Sequence, residues 1–276
     1  MRAPSIARAV VTHGILVGVG AIFSLPFFWL VSTALKADTQ VLAMPPVWVP
    51  RPVRWDNFPR ALEYIPYVQY ALNTLRICAL SVVGTVLSCS LVAYSLARVR
   101  WIGRELVFFS LLGVMILPGQ VTMIPTFTLF KWLHWIGTIL PLVAPSFFGN
   151  AFYIFLLRQF YRTIPQELSD AARIDGCSDL AILLRVIMPL ARPALATVGL
   201  FTFIGAWNDF LGPLLYLNDE GSYTLAIGLQ RFVSQHGAEW SMLMAASTVM
   251  TLPIVVIFFF AQRTFIQGVT LTGIKG

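Results

Sequence analysis

Six stretches of this chain are each long and apolar enough to cross a lipid bilayer, and few folds accommodate that. A hydrocarbon layer of about 30 Å takes about 20 residues of helix, and a helix is the one lone segment that satisfies its own backbone there. The stretches are residues 11–35, 69–97, 105–130, 138–158, 194–217 and 241–262. Hydrophobic residues make up 58% of the chain and charged ones 11%. Soluble domains average roughly 45–50% and 25%, so no water-soluble fold buries this surplus. The fold class is an all-α membrane protein with six transmembrane helices in a single domain, residues 1–276.

Arg2 and Arg8 precede the first stretch as they would in a signal peptide. Its apolar part exceeds the roughly 7–15 residues of a signal core, and five more spans follow, so it reads as a retained anchor. The formal charge of +7 is scattered beside the spans, which is the footprint of topology and not of nucleic-acid binding. With the N-terminus inside, Arg2, Arg8, Arg98, Arg100, Arg104, Arg158, Arg162, Arg173, Arg185, Arg192, Arg263 and Lys275 are cytoplasmic. Lys36, Arg51, Arg54, Arg60, Lys131 and Arg231 are outside. This bias of about two to one places both termini in the cytoplasm, as an even number of spans requires.

The segment 36–68 carries six prolines with Trp48 and Trp55 among them, and reads as an extended outer loop with interfacial aromatics. Residues 98–104 form a short basic turn. The cytoplasmic loop 159–193 is longer and structured. Pro165 suits a helix start, Glu167 and Asp170 favour its positive end, and Gly176 supplies the left-handed residue that stops it. Asp179 then starts a second helix, Leu180 to Met188, ahead of Pro189 and Pro193.

Enzymatic chemistry has no candidate residues. None of the three lysines (Lys36, Lys131, Lys275) follows a Gly-rich phosphate loop, so the chain has no such ATPase site of its own. His13, His134 and His236 stand apart without metal-ligand spacing, and no GxSxG turn is present. Cys78 and Cys89 lie about 16 Å apart along one helix, beyond disulfide reach.

The loop 159–193 resembles the signature loop of ABC-importer permeases, a Glu-Ala-Ala stretch followed by Gly and later Ile-x-x-Pro. Here it stands as Asp170, Ala171, Ala172, then Asp175, Gly176, then Ile187 and Pro189, with Asp in place of the leading Glu. Four further patches and the flank of this loop resemble the carbohydrate-uptake, maltose permease-like branch. They are YALNTL, ILPGQVTMIP, AFYIFLLRQFYRTIPQEL, GAWNDFLGPLLYL and the terminal QRTFIQGVTLTGIKG, in family order.

The resemblance implies a permease in a bacterial-type inner membrane for a sugar or sugar-like solute, without enzymatic activity or cofactor of its own. It implies a second homologous permease, two cytoplasmic ATPase subunits holding ATP and Mg²⁺, and an external solute-binding protein. The loop helix is then the ATPase-coupling element. Small Ala171 and Ala172 would allow close approach, and Glu167, Asp170, Arg173 and Asp175 would supply orienting charge, with Gly176 and Pro189 shaping the loop.

Two readings stand for the polar residues inside the spans. Asp209 lies about 22 Å along span five and is either a solute-path residue or, with Trp207, Asn208, Gly212 and Pro213 around it, part of a helix break. Asn73 and Asn150 either meet a hydroxylated solute or join helix to helix. Trp207, Tyr153 and Phe152 offer aromatic faces to a sugar or simply pack. Arg76 reads as snorkelling to the interface, and Pro118, Gln120 and Pro125 imply a kinked third span.

Overall fold

The computed structural model describes residues 6–234 and 237–273; Arg2, His236 and Lys275 lie outside that range. In chain order the helices are α1 (Ile6–Ala34), α2 (Asp38–Val41), α3 (Asn57–Tyr64), α4 (Tyr67–Arg98), α5 (Arg104–Val114), α6 (Gly119–Trp132) and α7 (Leu140–Val143). They continue, after a 3-10 turn at Ala144–Phe148, with α8 (Ala151–Thr163), α9 (Gln166–Ile174) and α10 (Asp179–Ile182). A π turn at Leu183–Ile187 leads to α11 (Met188–Leu190), α12 (Arg192–Asn208), α13 (Leu211–Tyr216) and α14 (Leu225–Gln230). A two-residue hairpin, β1 (Val233–Ser234) with β2 (Gly237–Ala238), precedes α15 (Trp240–Gly273).

Among the described residues four stretches are long and apolar enough to cross a bilayer singly, and the number rises to six if each of two bent helix pairs is one span. Three expected spans are not single helices. The stretch 105–130 is α5 and α6 with a bend of 101° between them. Pro118 has no N–H to continue the ladder and is itself extended, at ψ 135°, so the chain turns there, whereas Pro125 is accommodated inside α6. The stretch 138–158 breaks at Gly149, whose φ of +91° admits no side chain without strain, and Asn150 restarts it. The stretch 194–217 stops at Asn208 and resumes two residues after Asp209.

The chain packs as two compact units, residues 1–67 with 228–253, and residues 68–227 with 254–276. In the first, the proline-rich segment is tied to the end of α1 by Asn57. Its amide donates to the carbonyls of Ala34 at 2.9 Å and Lys36 at 2.8 Å. Ser32 donates to the Trp48 carbonyl at 2.6 Å. Lys36, expected among the water-facing outer residues, is fully buried. Its ammonium lies 3.6 Å from the centre of the Trp29 ring and donates to Thr33 Oγ1 at 3.2 Å, a cation–π site in place of a solvated charge.

The second unit has its core where α4, α8 and the α10–α12 segment meet. Leu96, Leu157, Tyr161, Ile182, Leu183, Ile187, Ala191 and Val198 are each no more than 1% exposed. Arg98 and Arg158, counted among the cytoplasmic topology charges, are buried beside this core at 6% and 3% exposure. Arg158 donates to the Leu96 carbonyl at 3.2 Å, pairs with Glu105 at 3.0 Å and lies over the Phe108 ring. It thereby joins the end of α4 to the start of α5.

The approach of the 144–148 turn to α4 depends on Gly84, since a Cβ there would stand 2.7 Å from Phe147 Cδ2. Gly84→Ala is expected to cost about 1–3 kcal/mol by overpacking, read as a lower thermal midpoint of the protein in detergent.

Candidate functional site

Two features of the second unit draw the sequence candidates together: an exposed short helix and a polar cavity. The helix is α9. Its end is set by Gly176, at φ +81°, in a Schellman arrangement. Cys177 N–H donates to the Ala172 carbonyl at 2.9 Å and Gly176 N–H to that of Arg173 at 3.0 Å.

The faces of α9 are unequal. Ser169 is wholly buried and Ala172 packs against the core, so only one of the two signature alanines faces out. Ala171 is exposed, in line with Leu168 at 43% and Ile174 at 88% exposure, and Glu167 and Asp175 flank this row. Neither flanking acid makes a salt bridge among the described residues. The i, i+3, i+6 spacing of Leu168, Ala171 and Ile174 was the signal for that face, hidden beneath the alanine motif.

The other charges are spent inside the loop. Arg173 bridges Asp170 at 2.9 Å and Asp179 at 3.1 Å, and its hydrogen bond to Asp179 holds the guanidinium above its ordinary range. Exposed pairs of this kind contribute about 0–1 kcal/mol each, so their effect is orientation. Ser178, not Asp179, caps α10, which frees the Asp179 carboxylate for Arg173 and for the Tyr94 hydroxyl at 3.1 Å. Pro189 is exposed within α11, after the π turn.

The cavity, ≈ 400 Å³, is lined by Ser81 and Thr85 of α4, Ser146, Asn150 and Tyr153 around the first helix break, and Thr202 and Asp209 near the second. Asn150 caps α8, its Oδ1 accepting from Phe152 N–H at 3.0 Å and Tyr153 N–H at 3.3 Å. Asp209 accepts from Gly212 N–H at 3.1 Å and so starts α13. Both residues are thus helix-break devices and cavity walls at once. Among the described residues, no Lys, Arg or His lines the space.

Other candidates fall elsewhere. Asn73 donates to the carbonyls of Gly221 at 2.9 Å and Tyr223 at 3.0 Å, beside a separate depression it shares with Arg76 and Asp219. Trp207 is 2% exposed and stacks on Phe203. Asn208 is exposed and bonds back to the Ile204 carbonyl at 2.9 Å. Phe152 is exposed and does not line the cavity. Ser81, Thr85 and Thr202 were missed, although Ile77, Ser81 and Thr85 repeat every four residues and so share one face of α4. Among the described residues no group of three His, Cys, Asp or Glu could hold a metal ion.

A family model described as the binding-protein-dependent transport system inner membrane component matches residues 68–271. The arabinooligosaccharides transport system permease protein AraQ of Bacillus subtilis is 31% identical over 258 residues, 92% of each chain. The diacetylchitobiose uptake system permease protein DasC of Streptomyces coelicolor is 29% identical over 259 residues, 94% of this chain and 93% of that one. A chain from the crystal structure of a bacterial ABC transporter that imports the acidic polysaccharide alginate superposes with TM-score 0.82 at 24% identity. The match covers 96% of this chain and 100% of that one. A chain of a bacterial alginate ABC transporter in complex with its alginate pentasaccharide-bound periplasmic protein superposes with TM-score 0.67 at 16% identity. It covers 93% of this chain and 94% of that one. At these identities the two structures speak to the fold.

The two roles of Asp209 separate by substitution. Asp209→Asn keeps an oxygen for the Gly212 N–H and is expected to preserve thermal stability while changing solute uptake. Asp209→Leu removes the cap as well and should lose about 0.5–2 kcal/mol in the same melting measurement.

Proposed function

The chain belongs to the binding-protein-dependent transport system inner membrane component family, as a permease subunit of an ABC importer, and from that premise we propose how its cavity and loop serve transport. The observation that carries the reading is one cavity whose mixed wall sets hydroxyl side chains and the Asn150 amide among apolar residues, in a chain whose relatives are named for oligosaccharide transport. Hydroxyls and amides both donate and accept, as a polyhydroxylated solute requires. One carboxylate without a cation supports a solute that is not anionic, in contrast to the alginate named for the structural relative.

We assign α9 as the coupling helix. Its outward row of Leu168, Ala171 and Ile174 is apolar on a loop whose surroundings are charged, and burying a side chain like Ile174 against a partner is worth about 1.5–3 kcal/mol. The partner proposed is an ATPase subunit holding ATP and Mg²⁺, one of two beneath this chain and a second homologous permease. An external solute-binding protein delivers the solute, as a periplasmic protein accompanies one structural relative. Closure of the ATPase pair on ATP would push α9 and reopen the path to the opposite side. Hydrolysis belongs to those partners.

The basic-residue bias supports cytoplasmic termini with α9 on the same side. Cysteine placed at Asp56 and at Ile174 should be labelled by impermeant reagent from opposite faces of inside-out and right-side-out vesicles; labelling of both from one face overturns this orientation. Ile174→Asp and Ala171→Trp should leave the chain inserted while weakening capture of the ATPase about tenfold or more, measured by pull-down from detergent. Undiminished capture by both variants would remove α9 as the docking element.

A further inference from the structure

The loop helix α9 is covalently joined to α8 before it and, through α10 and α11, to α12 after it. Both routes pass irregular backbone: the Gly149 break lies beyond α8, and the π turn and an 84° bend precede the body of α12. A further hold on α9 comes from α4, which is far away in sequence.

Arg98, at the last residue of α4, is buried and spends its guanidinium on the end of α8 and the start of α9. Nε donates to the Tyr161 carbonyl at 3.1 Å, Nη2 to the carbonyls of Tyr161 and Ile164, and Nη1 to Gln166 Oε1 at 2.7 Å. The Tyr161 and Ile164 carbonyls stand at the negative end of α8, where Tyr161 O also accepts from Ile164 N–H, and a planar cation with several donors suits that place. Tyr94 stands one turn earlier on the same face of α4 and is 4% exposed. Its hydroxyl donates to Asp179, the carboxylate that also receives Arg173 from the last turn of α9. One face of α4 therefore holds the start of α9 directly, through Gln166, and its end through the Asp179 carboxylate of α10.

The same helix reaches the other features already described. Ser81 and Thr85 face the cavity. At the far end Gln69 donates to the Gly221 carbonyl at 2.8 Å, Asn73 holds Gly221 and Tyr223, and Thr74 Oγ1 accepts from Leu225 N–H at 3.0 Å. α4 is 32 residues without an internal proline, about 48 Å of continuous helix.

Resting on the assignment of α9 as the coupling helix, we infer that Arg98 and Tyr94 are positioning residues that lock α9 to α4, so that α4 is the strut carrying the ATPase stroke to the cavity wall and to the 219–225 loop.

The test uses the assembled importer in proteoliposomes, with Arg98→Lys, which keeps the charge but loses the fork, and Tyr94→Phe, which removes one oxygen. Both should retain the ATPase subunits and hydrolyse ATP, while solute taken up per ATP falls about tenfold for Arg98→Lys and a few-fold for Tyr94→Phe. A merely structural role would lower uptake and hydrolysis together and leave their ratio unchanged, and that result overturns the inference. So does a parental ratio in Tyr94→Phe where Arg98→Lys fails to insert, or loss of the ATPase subunits from both variants. Failure of the docking assignment shows separately, as retention of the ATPase by Ile174→Asp in the same preparation.

Discussion

A helix that stops inside a protein leaves four amides or four carbonyls without partners, and in hydrocarbon no water stands by to take them. Much of the distinctive structure of this chain depends on where those groups find partners. At the α8 start the Asn150 side chain takes two amides, and at the α13 start Asp209 takes one. At the α8 end the guanidinium of Arg98 collects the carbonyls. Asn57 does the same for the end of α1. Each partner is a polar side chain that could not sit at that place without the break, and each break becomes a fixed point from which a neighbouring element is positioned.

The cavity is the product of two such breaks facing α4. A continuous helix over 138–158 or 194–217 would present only side chains to α4. Interrupting both brings capping groups to the same space, so polarity enters the wall on side chains that also hold helix starts. At Asp209 the helix-break reading and a place on the cavity wall are compatible, because one carboxylate meets Gly212 N–H and lines the space.

Hydropathy made an all-helical chain with several apolar spans legible, because length and apolarity are summed properties of a window. Where a span breaks depends on one or two residues, and Gly149 and Asp209 do not alter such a sum. The loop helix was legible for the opposite reason: Pro165 and Gly176 act locally, and Gly176 adopts the left-handed geometry its position required. What the loop's sequence concealed was azimuth. Ala171 and Ala172 are adjacent in the motif but about 100° apart around the helix, so one packs inward and the outward row passes to Leu168 and Ile174. The burial of Arg98 and Arg158 was not legible, because a basic residue at a span's end suits a topological rule as well as it suits a buried cap.

The π turn at Leu183–Ile187 gives that azimuth a further dimension. A π turn is an α-helix carrying one surplus residue, and the surplus is a phase offset between the helix before it and the helix after it. Removing a single residue there would wind the segment back to regular helix and rotate everything on one side by about 100° relative to the other. Ile182, Leu183 and Ile187, all buried, hold the turn in the core. An alignment gap of one residue at this place would thus be far from neutral: like a gear advanced by one tooth, it would turn α10 against α11 while every helix kept its length.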